Sequence, residues 1–387
     1  MKRDTRLIHS VRHDAETPLA VTVGPPIQRG STLLLADSTA VRDHGQATYG
    51  RQGLAAQAAL QAALAEMEGA AFVALYPSGL AAITGALLAV LNAGDDILVT
   101  DSIYRPTRRF CDKTLARFGI TTRYFDPTLS ADALLALAGP ATRLIMLESP
   151  GSLTMEMQDV SAIAKAAKAK NILTAIDNTW GAGLVFKPLE HGVDLSIQSL
   201  TKYVGGHSDV FMGSAAAIGE TICRRLEAGQ VEIGWAVSPD DAYAMLRGLR
   251  SLGTRLDRHG ASALEVAAWL QTQPQVLQVL HPALPGAPGH DLWTRDFSGA
   301  CGLFSVVLKP GSTTAVDAFL DAVTLFGLGY SWGGFESLTI PCDPQLSSRA
   351  VRPAFGGPLI RLHIGLEAPA DLIDDLAQAL AAYDAAI

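Results

Sequence analysis

From residue 70 onward the chain alternates short β-favouring runs with longer helix-favouring ones, and this alternation restricts the fold more than any other feature. Parallel neighbours need a crossover of a dozen or more residues, usually a helix, so repeated strand–helix units build a parallel sheet covered by helices. Strands are expected at 71–75, 97–100, 121–125, 144–148, 172–176 and 195–199. After the N-cap signal Ser238-Pro239, apolar residues recur at Leu246, Leu249, Leu252 and Leu256, and the spacing predicts one long helix running on to about Gln273, ahead of Pro274. Beyond it, 302–308 and 359–363 alternate like strands and 314–326 and 370–386 are helix-prone, a smaller α+β unit. The first fifty or so residues, with Gly24-Pro25-Pro26 and Arg29-Gly30-Ser31, keep no sustained period and read as an extended arm directed at a neighbouring subunit. The expected organisation is an arm (1–54), a large α/β domain (55–240), and a linking helix with a C-terminal α+β domain (241–387).

Composition narrows the function. With 49% hydrophobic and 18% charged residues in 387, the chain can bury a sizeable core. Thirty basic against 38 acidic side chains, a net charge of −8, leave no basic excess to neutralise phosphates, so a small-molecule enzyme is expected and a nucleic-acid partner is not. The longest uncharged stretch, 69–94, is long enough to span a bilayer, but Pro77, Ser78 and Gly79 interrupt it, and it reads as strand, turn and buried helix. The opening MKRDTRLIHSVRHDAE is basic without an apolar segment, unlike a secretory signal. Cys111, Cys223, Cys301 and Cys342 are scattered with no C-x-x-C, which suits free thiols in a reducing cytoplasm and no zinc site. His9 and His13 have the i, i+4 spacing of a metal pair, yet no third ligand is nearby, so they read as structural or solvent-facing.

In open α/β sheets ligands bind beyond the carboxyl ends of the strands. After the first strand, Tyr76-Pro77-Ser78-Gly79-Leu80 opens a helix; such a turn either presents N–H groups to a phosphate or is a plain turn. No P-loop is present, and no G-x-G-x-x-G follows a strand. Asp177 closes the fifth apolar run, where a buried carboxylate needs a partner. After the sixth come Ser199, Thr201 and Lys202, then Gly205-Gly206, which lets the backbone approach closely. An isolated lysine would be a surface ion-pair partner. Beside a phosphate-type turn, a terminal carboxylate and two hydroxyls, Lys202 reads as an amine that forms a Schiff base with pyridoxal 5'-phosphate.

The motifs TYGRQG (48–53), EMEGAAFVALYPSGLAAI (66–83), IDNTW (176–180), SLTKYVGGHSD (199–209) and LIRLHIGLE (359–367) together resemble the Cys/Met-metabolism family of pyridoxal phosphate enzymes over nearly the whole length. The resemblance implies the fold type I architecture of pyridoxal phosphate-dependent transferases. It implies that Lys202 carries the cofactor and moves protons, that Asp177 pairs with the pyridine nitrogen, that Tyr104 stacks on the ring, and that either Lys202 or a Tyr104 tyrosinate removes the substrate α-proton. Ser78, Gly79 and Leu80 match the phosphate-binding helix start, with hydroxyls from Ser199 and Thr201. Tyr49 and Arg51 match an arm pair reaching the active site of the adjacent subunit, which implies a homotetramer of dimers that share active sites. Arg361 matches the clamp on the substrate α-carboxylate, a role suited to a planar, bidentate guanidinium.

Family members act at Cβ or at Cγ of the substrate. Those acting at Cγ carry small residues after the stacking tyrosine, whereas Arg105-Pro106-Thr107 follows Tyr104, and a slender residue before the late Gly-Gly, whereas Tyr330, Ser331 and Trp332 precede Gly333-Gly334. The resemblance therefore favours the bacterial branch that cleaves cystathionine at Cβ to homocysteine, pyruvate and ammonia; a broader cysteine S-conjugate lyase and a γ-acting relative are the alternatives. Segment 227–237 lacks a tyrosine expected there, which bears on the distal end of the substrate. Of the lesser candidates, His207 reads as a hydrogen-bonded core histidine, Trp180 as packing and Tyr243 as structural. Asn178 reads as a turn residue or a cofactor contact, and Glu148 as a cleft residue or a cap or ion-pair partner.

Overall fold

The computed structural model describes residues 2–9, 22–43, 45–351 and 353–387; His13 lies outside the described residues. Seven strands form the larger sheet: β1 (Phe72–Tyr76), β2 (Asp96–Thr100), β3 (Thr121–Phe125), β4 (Thr142–Glu148), β5 (Leu173–Asp177), β6 (Leu195–Gln198) and β7 (Gly213–Ala217). Their order is β1-β7-β6-β5-β4-β2-β3. The run from β6 to β3 is parallel, as the alternation requires, while β7 is antiparallel to both β1 and β6. Each of the six expected strands is present. The added strand, GSAAA, has no β-branched residue to announce it; its five small residues are fully buried between β1 and β6, beneath the helix Gly79–Val90.

A second sheet follows from β8 (Val276–Leu280), β9 (Leu303–Leu308), β10 (Gly327–Leu328), β11 (Leu338–Pro341) and β12 (Leu359–His363), ordered β10-β11-β12-β9-β8 and antiparallel except for β10 and β11. One apolar cluster joins the sheets, running from Leu60 and Leu147 through Trp180 and Leu249 to Val307 and Leu359. Truncating a leucine in it to alanine costs about 2–5 kcal/mol.

Three expectations about helices need correction. The long linking helix is two helices, Pro239–Arg250 and Leu252–Leu270, divided at Ser251, whose φ of −104° and ψ of 4° leave the helical region. The apolar period passes through the break because Leu246, Leu249, Leu252 and Leu256 all enter one apolar cluster, so periodicity could not reveal it. The helix expected over 314–326 spans Thr313–Ala322. Its continuation is pulled out of the helix by Asp375, which accepts the backbone N–H groups of Thr324, Leu325 and Phe326. Within the arm, Arg3–His9 is helical, anchored by buried Leu7. Among the described residues no helix is long and apolar enough to cross a membrane, and the four cysteines are unpaired.

Candidate active site

The carboxyl ends of β1, β4, β5 and β6 open into a cleft of about 580 Å³ that the second sheet closes from the other side. Ser78, Gly79, Leu80, Tyr104, Asp177, Ser199, Thr201, Lys202, Tyr330, Ser331, Trp332 and Arg361 all line it. Tyr49 and Arg51 do not: both are exposed, with the Arg51 guanidinium 5.8 Å from the Tyr49 ring and its Nη1 donating to the Val231 carbonyl at 3.1 Å.

At the first corner Ser78 caps the helix Gly79–Val90, its Oγ accepting from Ala81 N at 3.1 Å, so the preceding N–H groups of that turn stay available to an anion. Gly79 is required by packing, since a Cβ there would lie 2.5 Å from Ser199 Cβ and Oγ. Thr201 Oγ1 donates to the Met212 carbonyl at 3.1 Å and accepts from Met212 N at 3.0 Å. Its hydroxyl is thus committed to holding the turn that carries Lys202, while Ser199 faces the cleft.

Asp177 ends β5 and is held by Thr179, whose N–H and Oγ1 donate to Oδ1 at 3.0 and 2.5 Å. The same Thr179 Oγ1 accepts from Ser199 N at 2.9 Å, tying the ends of β5 and β6 together. Burial pushes Asp177 above the usual carboxylate range, opposed by the Thr179 bonds and by the Lys202 charge. Glu148 is its register neighbour on β4. Its Oε2 accepts from Tyr104 N at 2.7 Å, so Glu148 both lines the cleft and caps the helix Arg105–Phe110. Burial and the adjacent Asp177 charge push Glu148 well above the ordinary range. Burial, then Asp177 and Glu148, also raise the Tyr104 phenol, with Arg361 opposing.

Lys202 Nζ donates to Ser331 Oγ at 2.9 Å and lies 5.6 Å from the Trp332 ring centroid. Burial, and then the Arg361 charge, bring its amine down to about 8 against the pull of Asp177. Arg361, buried in the middle of β12, donates to the carbonyls of Gly329, Tyr330 and Ser331 at 2.8 to 3.1 Å. Its Nε remains buried without a partner. The guanidinium therefore holds the loop that bears Ser331 and Trp332 with three of its five N–H donors.

The lesser candidates separate clearly. Trp180 is buried, donating Nε1–H to the Leu303 carbonyl at 3.0 Å and meeting Phe297 edge to face. Asn178 donates to the Phe186 carbonyl, and Tyr243 packs beside Gly24 of the arm. His207 is not a core residue; it is exposed, its Nδ1 2.7 Å from the Gly205 carbonyl. Sequence reasoning missed Thr179, although a hydroxyl two residues after a strand-ending aspartate is the spacing of a side-chain-to-backbone turn. Phe211, exposed at the cleft rim, had no signal.

A parallel sheet whose strand ends gather an amine of lowered basicity, a buried carboxylate and a helix start free to bind an anion defines the class of enzymes that use pyridoxal phosphate. The chain matches the model of the Cys/Met metabolism PLP-dependent enzymes over residues 4–381, and it belongs to that family. It is 44% identical to the cystathionine beta-lyase of Salmonella typhimurium over 98% of each chain. It is 40% identical to an L-alanine/L-glutamate racemase of Wolbachia pipientis over 93% of each. Among solved structures, the crystal structure of metB from Corynebacterium glutamicum superposes with a TM-score of 0.91 at 29% identity, covering 98% of this chain and 97% of that one. The fold expectation holds, and pyridoxal phosphate is the cofactor. The cleft's own chemistry fits it: uncommitted N–H groups for a phosphate, a buried carboxylate for a ring nitrogen, and an amine that is partly neutral near pH 8.

Proposed function

We propose that this enzyme is a cystathionine β-lyase, releasing homocysteine, pyruvate and ammonia from cystathionine in methionine biosynthesis. The observation that carries the reading is the Trp332 indole, 5.6 Å from Lys202 Nζ, which narrows the cleft beside the reacting amine. The full-length likeness to a cystathionine beta-lyase supports it.

In this reading Lys202 bears the cofactor, Asp177 pairs with the ring nitrogen and Tyr104 covers the ring face. Ser78, Gly79, Leu80 and Ser199 receive the phosphate, and Thr201 fixes the lysine turn. When bound, the cofactor supplies an electron-withdrawing ring that acidifies the substrate Cα–H and allows the Cβ–S bond to break. Arg361, which lines the cleft, takes the substrate carboxylate. Lys202 Nζ, aimed by Ser331, takes the Cα proton; at about 8 it is partly neutral near physiological pH. Burial, then the Asp177 and Glu148 charges, raise the Tyr104 phenol, which disfavours its anion as the alternative base. Trp332 excludes water and limits how the substrate side chain turns.

Tyr49 and Arg51 are assigned to the site of a neighbouring subunit, which suits their exposure and their distance from their own cleft. The assembly is then a homotetramer of dimers sharing active sites, located in the cytoplasm. The arm, large domain and C-terminal domain divide at residues 54 and 240. Steady-state assay on cystathionine, cystine and an activated homoserine, scoring pyruvate against α-ketobutyrate, with racemisation of alanine and glutamate followed in parallel, tests the reading. Dominant α-ketobutyrate formation or racemisation would overturn it.

A further inference from the structure

His363 lies two residues beyond Arg361 on β12, so both side chains leave the same face of the strand. Arg361 holds the carbonyls of residues 329 to 331, and His363 takes the next group along the same loop: Gly333 N donates to its Nε2 at 3.0 Å. A ring nitrogen that accepts carries no proton, so the His363 proton sits on Nδ1. The Gly334 carbonyl, 3.2 Å from Nε2, would draw a proton there only by orphaning the buried Gly333 N–H. Nδ1 itself is buried without a partner.

His259, on the helix Leu252–Leu270, has the complementary arrangement. Its Nδ1 lies 2.8 Å from the Ile364 carbonyl, which can only accept, so the proton is on Nδ1 and the Nε2 lone pair is left buried and unpartnered. The two rings are 5.4 Å apart at 38°, and both meet Tyr203, on which Trp332 also packs at 5.5 Å. A leftover donor and a leftover acceptor thus lie in adjacent buried rings, neither with a partner within hydrogen-bond distance, so His259 supports His363 by ring packing. The loop they support has no slack. Gly333 has φ of +84°, and a Cβ on it would fall 2.9 Å from Lys202 C and Tyr203 N.

We propose that His363, backed by His259, is a positioning residue: by capturing the Gly333 N–H it sets Ser331 and Trp332 against Lys202. The inference rests on the reading of Lys202 as the cofactor-bearing lysine. Its test uses holoenzyme and two variants, His363→Leu, which removes the acceptor, and His363→Gln, whose Oε1 can stand near the position of Nε2. Hydrogen–deuterium exchange of the peptide spanning 330–337 reads the loop, and kcat and KM for cystathionine read its consequence. The expected result is at least tenfold faster exchange at Gly333 and at least a tenfold fall in kcat/KM for His363→Leu, carried mainly by kcat, with His363→Gln within about threefold of the parent in both. Parent-like exchange and kcat/KM in His363→Leu, or equal impairment of the two variants, would overturn it. Should His363→Leu not fold, parent Gly333 exchanging as fast as exposed Tyr330 and Ser331 overturns it without any variant. Failure of the parent to cleave cystathionine counts against the lyase reading alone, because the exchange measurement needs no turnover.

Discussion

Replacing Thr179 with valine keeps shape and removes one hydroxyl, and that hydroxyl makes two contacts. It donates to Asp177 Oδ1 at 2.5 Å and accepts from Ser199 N at 2.9 Å. A hydrogen bond to a charged group contributes about 1.5–3 kcal/mol, and a buried N–H left without an acceptor costs about 1–3 kcal/mol. The two losses share one atom and do not add fully, so Thr179→Val should cost about 2–4 kcal/mol of stability. The loss also reaches the cofactor. With one fewer donor the Asp177 carboxyl rises further, and each unit of rise disfavours its anion by about 1.4 kcal/mol, so pyridoxal phosphate should bind about tenfold more weakly. Titration of apoenzyme with the cofactor, followed by visible absorption, gives the dissociation constant, and thermal unfolding gives the stability change. Thr179→Ser, which keeps the hydroxyl, should lie within about threefold of the parent. Parent-like affinity and melting in Thr179→Val, or equal impairment in Thr179→Ser, would refute the argument.

Borohydride treatment of the yellow holoenzyme should bleach its visible band and leave the pyridoxyl label on the peptide containing Lys202; mass spectrometry finding another lysine refutes that assignment. Cofactor capture by apoenzyme needs the neutral Lys202 amine, so its rate should climb with pH through about 8 and level off above it. Because the Arg361 charge lowers that amine, Arg361→Gln should move the rise to higher pH, and an unmoved profile removes Arg361 as a cause. Arg361→Lys loses the planar fork and should lower kcat/KM about a hundredfold, about 2.7 kcal/mol, mostly through KM. Trp332→Ser should cut cystathionine cleavage about tenfold, about 1.4 kcal/mol, while the holoenzyme stays yellow; unchanged cleavage would mean the indole is only packing. Mixing Arg51→Ala with Lys202→Ala chains should restore activity in hybrid sites, and no recovery despite confirmed mixing would place the arm in its own subunit's site.

The alternation of β and helical runs determined the sheet, and the rule that ligands gather at strand ends determined where to look. Asp177 and Lys202 stand in the cleft because each follows an apolar strand whose carboxyl end was readable, and Arg361 and Trp332 became legible through motif resemblance. These are properties of neighbours along the chain, and a period or a motif records them. Tertiary structure alone decided the rest. It placed β7, whose small residues carry no strand preference, between β1 and β6. It broke the linking helix at Ser251 and drew residues 324–326 off another helix onto Asp375, more than forty residues away. It exposed His207, left Tyr49 and Arg51 outside their own cleft, and joined Gly333 to His363. In each case the outcome depends on which distant groups compete for the same buried space or the same hydrogen bond, and that competition exists only once the chain has packed.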